Sequence, residues 1–396
     1  MTRAARNALV LDGSEVKVRL QAARTASRSK VHIDWLRFTV QRRYAAVPSA
    51  ALLFGPEPFN IWEAAEYRVH KVLADLPNED HWAGAQAMQL AQDVAAALGS
   101  DFAVCPELRK GHDFYRHRWS IERNGQECGW VGFLASSESP RQQAQAKTIH
   151  CNLYGAACTF AAHGWHDRVS KLVEDEKAEI TRVDLALDFF DGMPGGMDRL
   201  KDDYLSGAMD VYGKRPKTHQ HGDWINNRER SFYTGSKQAG KETNVYEKGH
   251  QLFGPESGNP WIRIEIRYGN KLRELPVDVL RRAADFFAGS SSWHAQMLAL
   301  ADQHAEPIPM KTRPRLAIET VAAEVSRNLR WAFNTAAPTI AAAWEYLGDE
   351  FLELVGGTNR PGRLRSFNAT ELRQAFSTQV QTFSSLAGAG PAMQSA

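Results

Sequence analysis

The sequence has no long hydrophobic run, no closely paired cysteines and no large excess of either charge. No stretch reaches the roughly 18 apolar residues of a membrane-spanning helix, and no apolar segment separates the N-terminal charges from a cleavage site. We therefore expect neither a membrane span nor a secretory signal, and a protein that acts in the cytoplasm.

The cysteines argue against a structural zinc site, and the net charge argues against a basic surface over the whole chain. Cys105, Cys128, Cys151 and Cys158 form no C-x-x-C motif, which is typical of a reducing compartment and predicts no structural zinc. The formal net charge of +2 is too small for a basic surface over the whole chain. Contacts with nucleic acid must therefore come from local clusters.

Composition along the chain predicts four segments. Residues 1–28 mix Arg, Ala and Ser without apolar periodicity and are expected to be a flexible basic arm. Residues 29–290 carry the strand patterns, with an Ala-rich helical insert at about 60–100. Residues 291–380 are expected to be a helical C-terminal region, and the small-residue tail 381–396 is expected to be disordered.

Alternating and β-branched stretches predict an antiparallel sheet. The dipeptide Asn124-Gly125 between two such stretches predicts a hairpin, since Asn-Gly supplies the positive φ angles of a type I′ turn. Strands are expected near Ile33, Trp119, Val131, His150, Val183, Tyr233, Tyr246 and Ile264. Helices on the apolar face of this sheet complete an α+β fold.

The stretch 261–267 separates apolar from charged residues. Ile262, Ile264 and Ile266 fall on one face of a period-two strand, while Arg263, Glu265 and Arg267 fall on the other. The preceding segment, 242–248, puts Asn244, Tyr246 and Lys248 together in the same way. Such a polar face is either a solvated surface with cross-strand ion pairs or a functional site.

Three aspartates lie inside predicted strands. Asp34 lies in the first core strand, where an unpaired carboxylate is costly, so it has a partner at a sheet end or belongs to a site. Asp184 and Asp188 share one face of the strand 180–190, roughly 13 Å apart, too far to bind one ion together. Either aspartate can bind an ion together with a carboxylate from a neighbouring strand. Alternatively, Asp188 simply marks the end of its strand before a turn.

Residues 214–230 are polar and basic, with aromatic residues interleaved, and are expected to form a loop. This mixture suits single-stranded nucleic acid, because bases stack on rings while phosphates meet cations, although a solvated loop explains it as well. His219-Gln220-His221 resembles the paired histidines of the HUH endonucleases. The surrounding loop composition, with Gln between the histidines, argues against a metal role there.

Four stretches together resemble the replication initiation factor family of phages and plasmids, the Rep_trans type of rolling-circle initiator. They are Asp34-Trp35, TRVDLALDFFDG, FYTGSK followed by NVYEKG, and WIRIEIRYGNK, and the resemblance covers roughly residues 30–287. The helical insert and helical C-terminus look most like the filamentous-phage replication proteins. The last hundred or so residues resemble nothing in the family, which leaves origin recognition open.

The resemblance implies an RRM-like nuclease core that nicks one DNA strand at an origin, leaving a 5′-phosphotyrosine and a free 3′-OH. By match to the motif, Tyr246 is the nucleophile, with Lys248 supplying a nearby positive charge. The implied metal ligands are Asp184 and Glu265, with Asp34 and Asp188 as further candidates, and a carboxylate set favours Mg²⁺ or Mn²⁺. The residues expected to contact DNA are Arg263, Arg267, Lys237, Lys241, Lys214, Arg215, Lys217, Arg228 and Arg230.

The implied partners are single-stranded or cruciform origin DNA and the replication machinery of a bacterial host, including a helicase and a polymerase. The sequence does not decide whether the chain forms a homodimer, or whether a second tyrosine such as Tyr233 takes part in strand closure. Two alternatives remain at this point. One is a conjugative relaxase of the same chemistry, and the other is an origin-binding protein without catalytic activity.

Overall fold

The structure is a computed structural model that describes residues 13–27, 29–49, 51–52, 79–137, 140–312, 317–356, 362–365 and 367–387. The chain divides into two compact units, Met1–Thr312 and Arg313–Ala396. Part of the predicted helical insert, residues 60–78, lies outside the described residues. No helix in the described ranges is long and apolar enough to cross a membrane.

The first unit is built on one sheet whose strand pairs are all antiparallel. The strands are β1 (Val31–Gln41), β2 (Phe102–Val104), β3 (Arg109–Lys110), β4 (Tyr115–Arg123), β5 (Gln126–Ala135), β6 (Thr148–Leu153), β7 (Glu179–Phe189), β8 (Thr218–Asp223), β9 (Arg228–Ser236), β10 (Lys241–Glu247) and β11 (Ile262–Gly269). Their order is β2-β4-β5-β6-β1-β7-β11-β10-β9-β8, and β3 pairs with β4. The prediction of an α+β fold with an antiparallel sheet is confirmed.

The first unit has nine α-helices in its described residues, and all of them except the one at Pro140–Ala146 contribute to the apolar core. They are α1 (Gly13–Ser27), α2 (Glu79–Leu98), α3 (Pro140–Ala146), α4 (Gly155–Phe160), α5 (Trp165–Asp175), α6 (Arg199–Leu205), α7 (Lys248–Phe253), α8 (Ala283–Ala288) and α9 (Ser292–Leu300). In α2 the small side chains Ala87 and Ala91 and the branched Val94 are fully buried, so this Ala-rich helix lies close to its neighbours.

The apolar residues of the predicted alternation lie in the core, although the polar face of these central strands is buried as well. Ile264 and Ile266 of β11 are fully buried among apolar neighbours, as are Leu185 and Leu187 of β7. The hairpin between β4 and β5 turns at Asn124 and Gly125, with φ angles of 52° and 72°. Both positive φ angles fit the predicted type I′ turn.

The second unit has its own small core, formed by Val321, Val325, Leu364, Leu372 and Ala375. Its helices are α10 (Ala317–Trp331), α11 (Ala337–Leu347), α12 (Asp349–Gly356) and α13 (Ala369–Ala387), with a π-helical segment at Ala332–Ala336. The described residues of this unit are therefore mostly helical. Helix α13 continues through residues 381–387, which the sequence assigned to a disordered tail.

Two further elements differ from the sequence expectations. Helix α1 occupies residues 13–27 of the predicted flexible arm. It is held there because Val16 and Leu20 lie in the core, at 3% exposure each. The predicted loop at 214–230 contains most of the hairpin β8–β9. Every residue of β8 is exposed, so it forms by backbone pairing with β9 and carries no hydrophobic alternation for the sequence to reveal.

Buried histidines make the fold sensitive to acid. His150 of β6 bonds to Thr39 through Nδ1 at 2.9 Å and stacks on Tyr115. Burial, with a smaller contribution from Arg37, lowers its pKa to about 3. The unfolded chain therefore binds a proton that the folded chain excludes, and the stability from neutral His150 is lost as the pH falls from about 6.5 towards 3.

We predict that His150 alone lowers the unfolding free energy by about 2 kcal/mol between about pH 7 and about pH 5. Urea titrations at both pH values measure this change. His150→Gln should be less stable near neutral pH, yet lose less stability on acidification. His163, which is exposed, provides the control His163→Gln, whose acid sensitivity should equal that of the unsubstituted chain. Equal acid sensitivity in the His150 variant would contradict the prediction.

Candidate active site

Strand register brings the predicted site residues onto one face of the sheet. Across β10 and β11, Tyr246 pairs with Arg263 and Asn244 pairs with Glu265. Across β11 and β7, Arg263 pairs with Asp188 and Arg267 pairs with Asp184. Since side chains alternate along each strand, these residues share the face opposite the isoleucines.

Tyr246 is the tyrosine at the centre of this face. Its hydroxyl donates to Oε2 of Glu265 at 3.4 Å. Burial raises the pKa of Tyr246 well above 10, and this exceeds the opposing effect of Arg263. The phenol is therefore protonated at neutral pH, and it can act as a nucleophile only when a neighbouring group accepts its proton.

Arg263 is buried between two of the predicted metal ligands. Its Nε and Nη2 donate to Asp188 at 2.7 and 3.0 Å, and its Nη1 donates to Asp34 at 2.5 Å. Its side chain is 1% exposed. Burial alone would raise the pKa of both aspartates, but Arg263 holds them below their usual range. Arg263 is thus the buried counter-ion of Asp34 and Asp188. Because its side chain is buried, it cannot make the predicted contact with DNA in this arrangement.

A bulge in β1 explains how Asp34 reaches Arg263. The pairing of β1 with β7 shifts register between Ile33 and Trp35. Ile33 and Leu36 are both buried in the core, so Asp34 and Trp35 both turn to the polar face. Bulges commonly redirect side chains in this way beside functional sites.

His32 joins this group and was missed by the sequence reasoning. Its Nδ1 lies 3.6 Å from Asp188 and its Nε2 lies 3.9 Å from Asp34. Among the residues that the structure describes, neither ring nitrogen has a hydrogen-bond partner, and burial lowers the pKa of His32. The available signal was its position two residues before Asp34, where a period-two strand would place both side chains on one face.

The remaining two carboxylates differ from each other. Asp184 accepts from Arg182 Nε at 2.9 Å and from Arg267 Nε at 3.1 Å. Glu265 accepts from Arg267 only through Oε1, at 3.2 Å. Burial, and then the charge of Asp184, raises the pKa of Glu265 to about 7. Glu265 therefore exchanges a proton near neutral pH.

Asn244 and Lys248 lie beside Tyr246. The Oδ1 atom of Asn244 is buried and has no hydrogen-bond partner in the described part of the chain, so it is an unused acceptor on this face. Lys248 is the first residue of α7, and its Nζ lies 5.7 Å from the Tyr246 ring centroid. Burial, and then Arg263, lowers the pKa of Lys248 to about 8.

The other predicted DNA contacts fall into three groups. Lys214 and Lys217 are exposed, and Arg228 and Lys237 are more than half exposed while facing single carboxylates, Glu256 and Glu242. Arg215 and Arg267 are partly exposed and paired with acidic side chains. Arg230 and Lys241 are largely buried and are held internally, Arg230 by Glu247 at 2.8 Å and Lys241 by the Ser290 carbonyl.

The carboxylates, as placed, do not fit a divalent metal ion. Asp34, Asp184 and Asp188 each accept from an arginine, which supplies the positive charge that a metal would supply. In the ranges that the structure describes, no three His, Cys, Asp or Glu side chains are arranged to hold a metal. We therefore derive no reaction step through a metal.

Comparison with known proteins agrees with the sequence motifs. Residues 178–356 match the model of the Rep_trans family, described as replication initiation factor. No curated protein matches the chain. A solved rolling-circle replication initiator protein from Geobacillus stearothermophilus aligns with 69% of this chain and 78% of its own, at 17% identity and a TM-score of 0.37. These values are too low to bear on the fold or the site. The family match confirms the resemblance that the motifs predicted for the part of the chain from residue 178 onwards, which contains both tyrosine strands and Glu265. It does not include Asp34-Trp35, and it extends to residue 356, into the C-terminal region for which the sequence predicted no resemblance.

Proposed function

We propose that this chain initiates rolling-circle replication by cutting one strand of origin DNA with Tyr246. The observation that carries the proposal is the contact between the Tyr246 hydroxyl and Glu265, whose pKa is raised to about 7. The contact lies within the segment that matches the replication initiation factor family. A carboxyl group that titrates near neutral pH and contacts the phenol can act as the general base that activates a tyrosine nucleophile.

In the proposed reaction the Tyr246 oxygen attacks a backbone phosphorus of the DNA. The bond between phosphorus and the 3′ oxygen breaks, and the 5′ phosphate becomes bonded to the tyrosine. Glu265 accepts the phenolic proton as attack proceeds, since its Oε2 already accepts the hydroxyl hydrogen bond. The departing 3′ oxygen takes up a proton from water and becomes the free 3′-OH that primes synthesis.

Positive charges beside Tyr246 support this reaction. Lys248 lies beside the tyrosine ring, where its charge would stabilise negative charge that develops on the phenolic oxygen. Arg267 is 26% exposed, so part of its guanidinium can contact a phosphate oxygen while its Nε stays on Asp184. Origin DNA is the partner of this surface. The host helicase, the host polymerase and a homodimer stay predictions.

The first test separates an enzyme from a DNA-binding protein. Tyr246→Phe keeps the ring and its packing but removes the attacking oxygen, so the variant should bind DNA of its genetic element with near-normal affinity and should not nick it. Tyr233→Phe is the matched control on the adjacent strand and should retain the first cleavage. Nicking by Tyr246→Phe at the normal rate would show that another residue is the nucleophile.

The second test addresses Glu265 as the proton acceptor. Its carboxyl must be deprotonated to act, so nicking should accelerate as the pH rises through about 7. Glu265→Gln preserves the side-chain shape but cannot accept the proton, and it should slow nicking by about 10²- to 10⁴-fold. The variant should also lose the rise near neutral pH. If the pH profile of nicking keeps its shape in Glu265→Gln, Glu265 is not the proton acceptor.

The third test addresses Mg²⁺ or Mn²⁺, which the family resemblance implies. Arg267 neutralises Asp184 and Glu265, so the free protein should bind Mn²⁺ weakly, measured by the loss of the free-ion EPR signal. Arg267→Gln should strengthen this binding, because two carboxylates lose a competing cation. Arg281→Gln, which removes an exposed pair with Glu174, is the control and should bind Mn²⁺ as weakly as the unsubstituted chain. Tight binding that is equal in all three proteins would contradict the expectation.

A further inference from the structure

The edge strand β8 presents two histidines next to Tyr233. His219 and His221 are two residues apart and exposed, and His219 pairs with Tyr233 of β9. The rings of His219 and Tyr233 stack with centroids 4.5 Å apart and planes at 4°. The ring of His221 meets Tyr233 edge-on at 5.4 Å. A nearly parallel stack at the open edge of a sheet is an ordered surface onto which another flat ring can add.

This stack lies on the same face of the sheet as the proposed nucleophile. Tyr233 pairs with Asn244, two residues before Tyr246 on β10. Neighbouring strands are about 4.8 Å apart, so β8 lies roughly 10 Å from β10. A strand whose phosphate reaches Tyr246 can therefore cross β9 and place a nearby base over β8.

The charge around the stack suits a nucleotide. Lys217 precedes β8 and is exposed, and Lys214 is exposed three residues earlier. Cations beside an exposed ring are the combination that holds single-stranded DNA with little sequence preference, since phosphates meet charge while bases stack. The sequence suggested this chemistry for residues 214–230 in general, but it did not identify the ring that a base would meet.

We propose that His219, supported from beneath by Tyr233, is a stacking site for one base of the single strand that enters the active site. The proposal rests on the proposed function and adds the position of the strand: it runs across β10, β9 and β8. His219 is a positioning residue, because it contacts a base near the cut and takes no part in proton transfer or bond cleavage.

The test compares binding to two single strands of about twelve nucleotides, within the range of single-strand binding sites. One is oligothymidylate and the other is a sugar-phosphate strand of the same length without bases. The ratio of their dissociation constants reports base contacts separately from phosphate contacts. His219→Ala should weaken oligothymidylate binding by about 5-fold or more and leave binding of the strand without bases unchanged. His219→Trp should restore the ratio, because it restores a stacking ring.

Gln220→Ala is the matched control, since Gln220 is exposed on the same strand but alternates to the opposite face. It should leave both dissociation constants unchanged. The proposal is overturned if His219→Ala weakens both strands equally, which would indicate a phosphate contact, or if it changes neither. Failure of the unsubstituted chain to bind either strand would instead count against the proposed function.

Discussion

The buried ion pair of Arg263 with Asp188 is the interaction on which the rest of the site depends. It joins β11 to β7, and the second contact of Arg263, to Asp34, adds β1. Both side chains of the pair are essentially excluded from solvent, at 1% and 0% exposure. Removing one partner of such a pair leaves an uncompensated charge and costs about 3–5 kcal/mol. The register of three strands, and with it the position of Tyr246 opposite Arg263, is therefore fixed by charge as well as by packing.

This constraint gives the four carboxylates different roles. Asp34, Asp184 and Asp188 face guanidinium groups, so they serve as counter-ions of the sheet. Glu265 shares Arg267 with Asp184. Its burial, and then the negative charge of Asp184, raise the pKa of Glu265 to about 7. Environments that separate the pKa values of neighbouring carboxylates distinguish acid–base groups from structural ones. On this account Glu265 is the group that exchanges a proton with Tyr246.

Much of the site followed from the sequence because it depends on strand alternation. The period-two pattern of residues 261–267 placed Arg263, Glu265 and Arg267 on one face, and the register places that face against Asp184 and Asp188. The features that the sequence did not predict depend on an irregular backbone or on strand pairing without burial of side chains. The bulge at Asp34 has no sequence signature, and β8 is exposed along its length, so its composition resembles that of a loop. Cross-strand ion pairs were one of the two sequence interpretations of this face, but alternation predicts a shared face and not which charges meet across it.

Identification of the peptide that becomes linked to DNA determines whether Tyr246 forms the covalent bond. After reaction with single-stranded DNA of the genetic element that encodes the chain, nuclease and trypsin digestion leaves a nucleotide on one peptide. Cleavage after Lys241 and Lys248 isolates Tyr246 in residues 242–248, and cleavage after Arg230 and Lys237 isolates Tyr233 in residues 231–237. The added nucleotide mass is expected on the first peptide. The same mass on the second peptide, or on neither, would contradict this expectation.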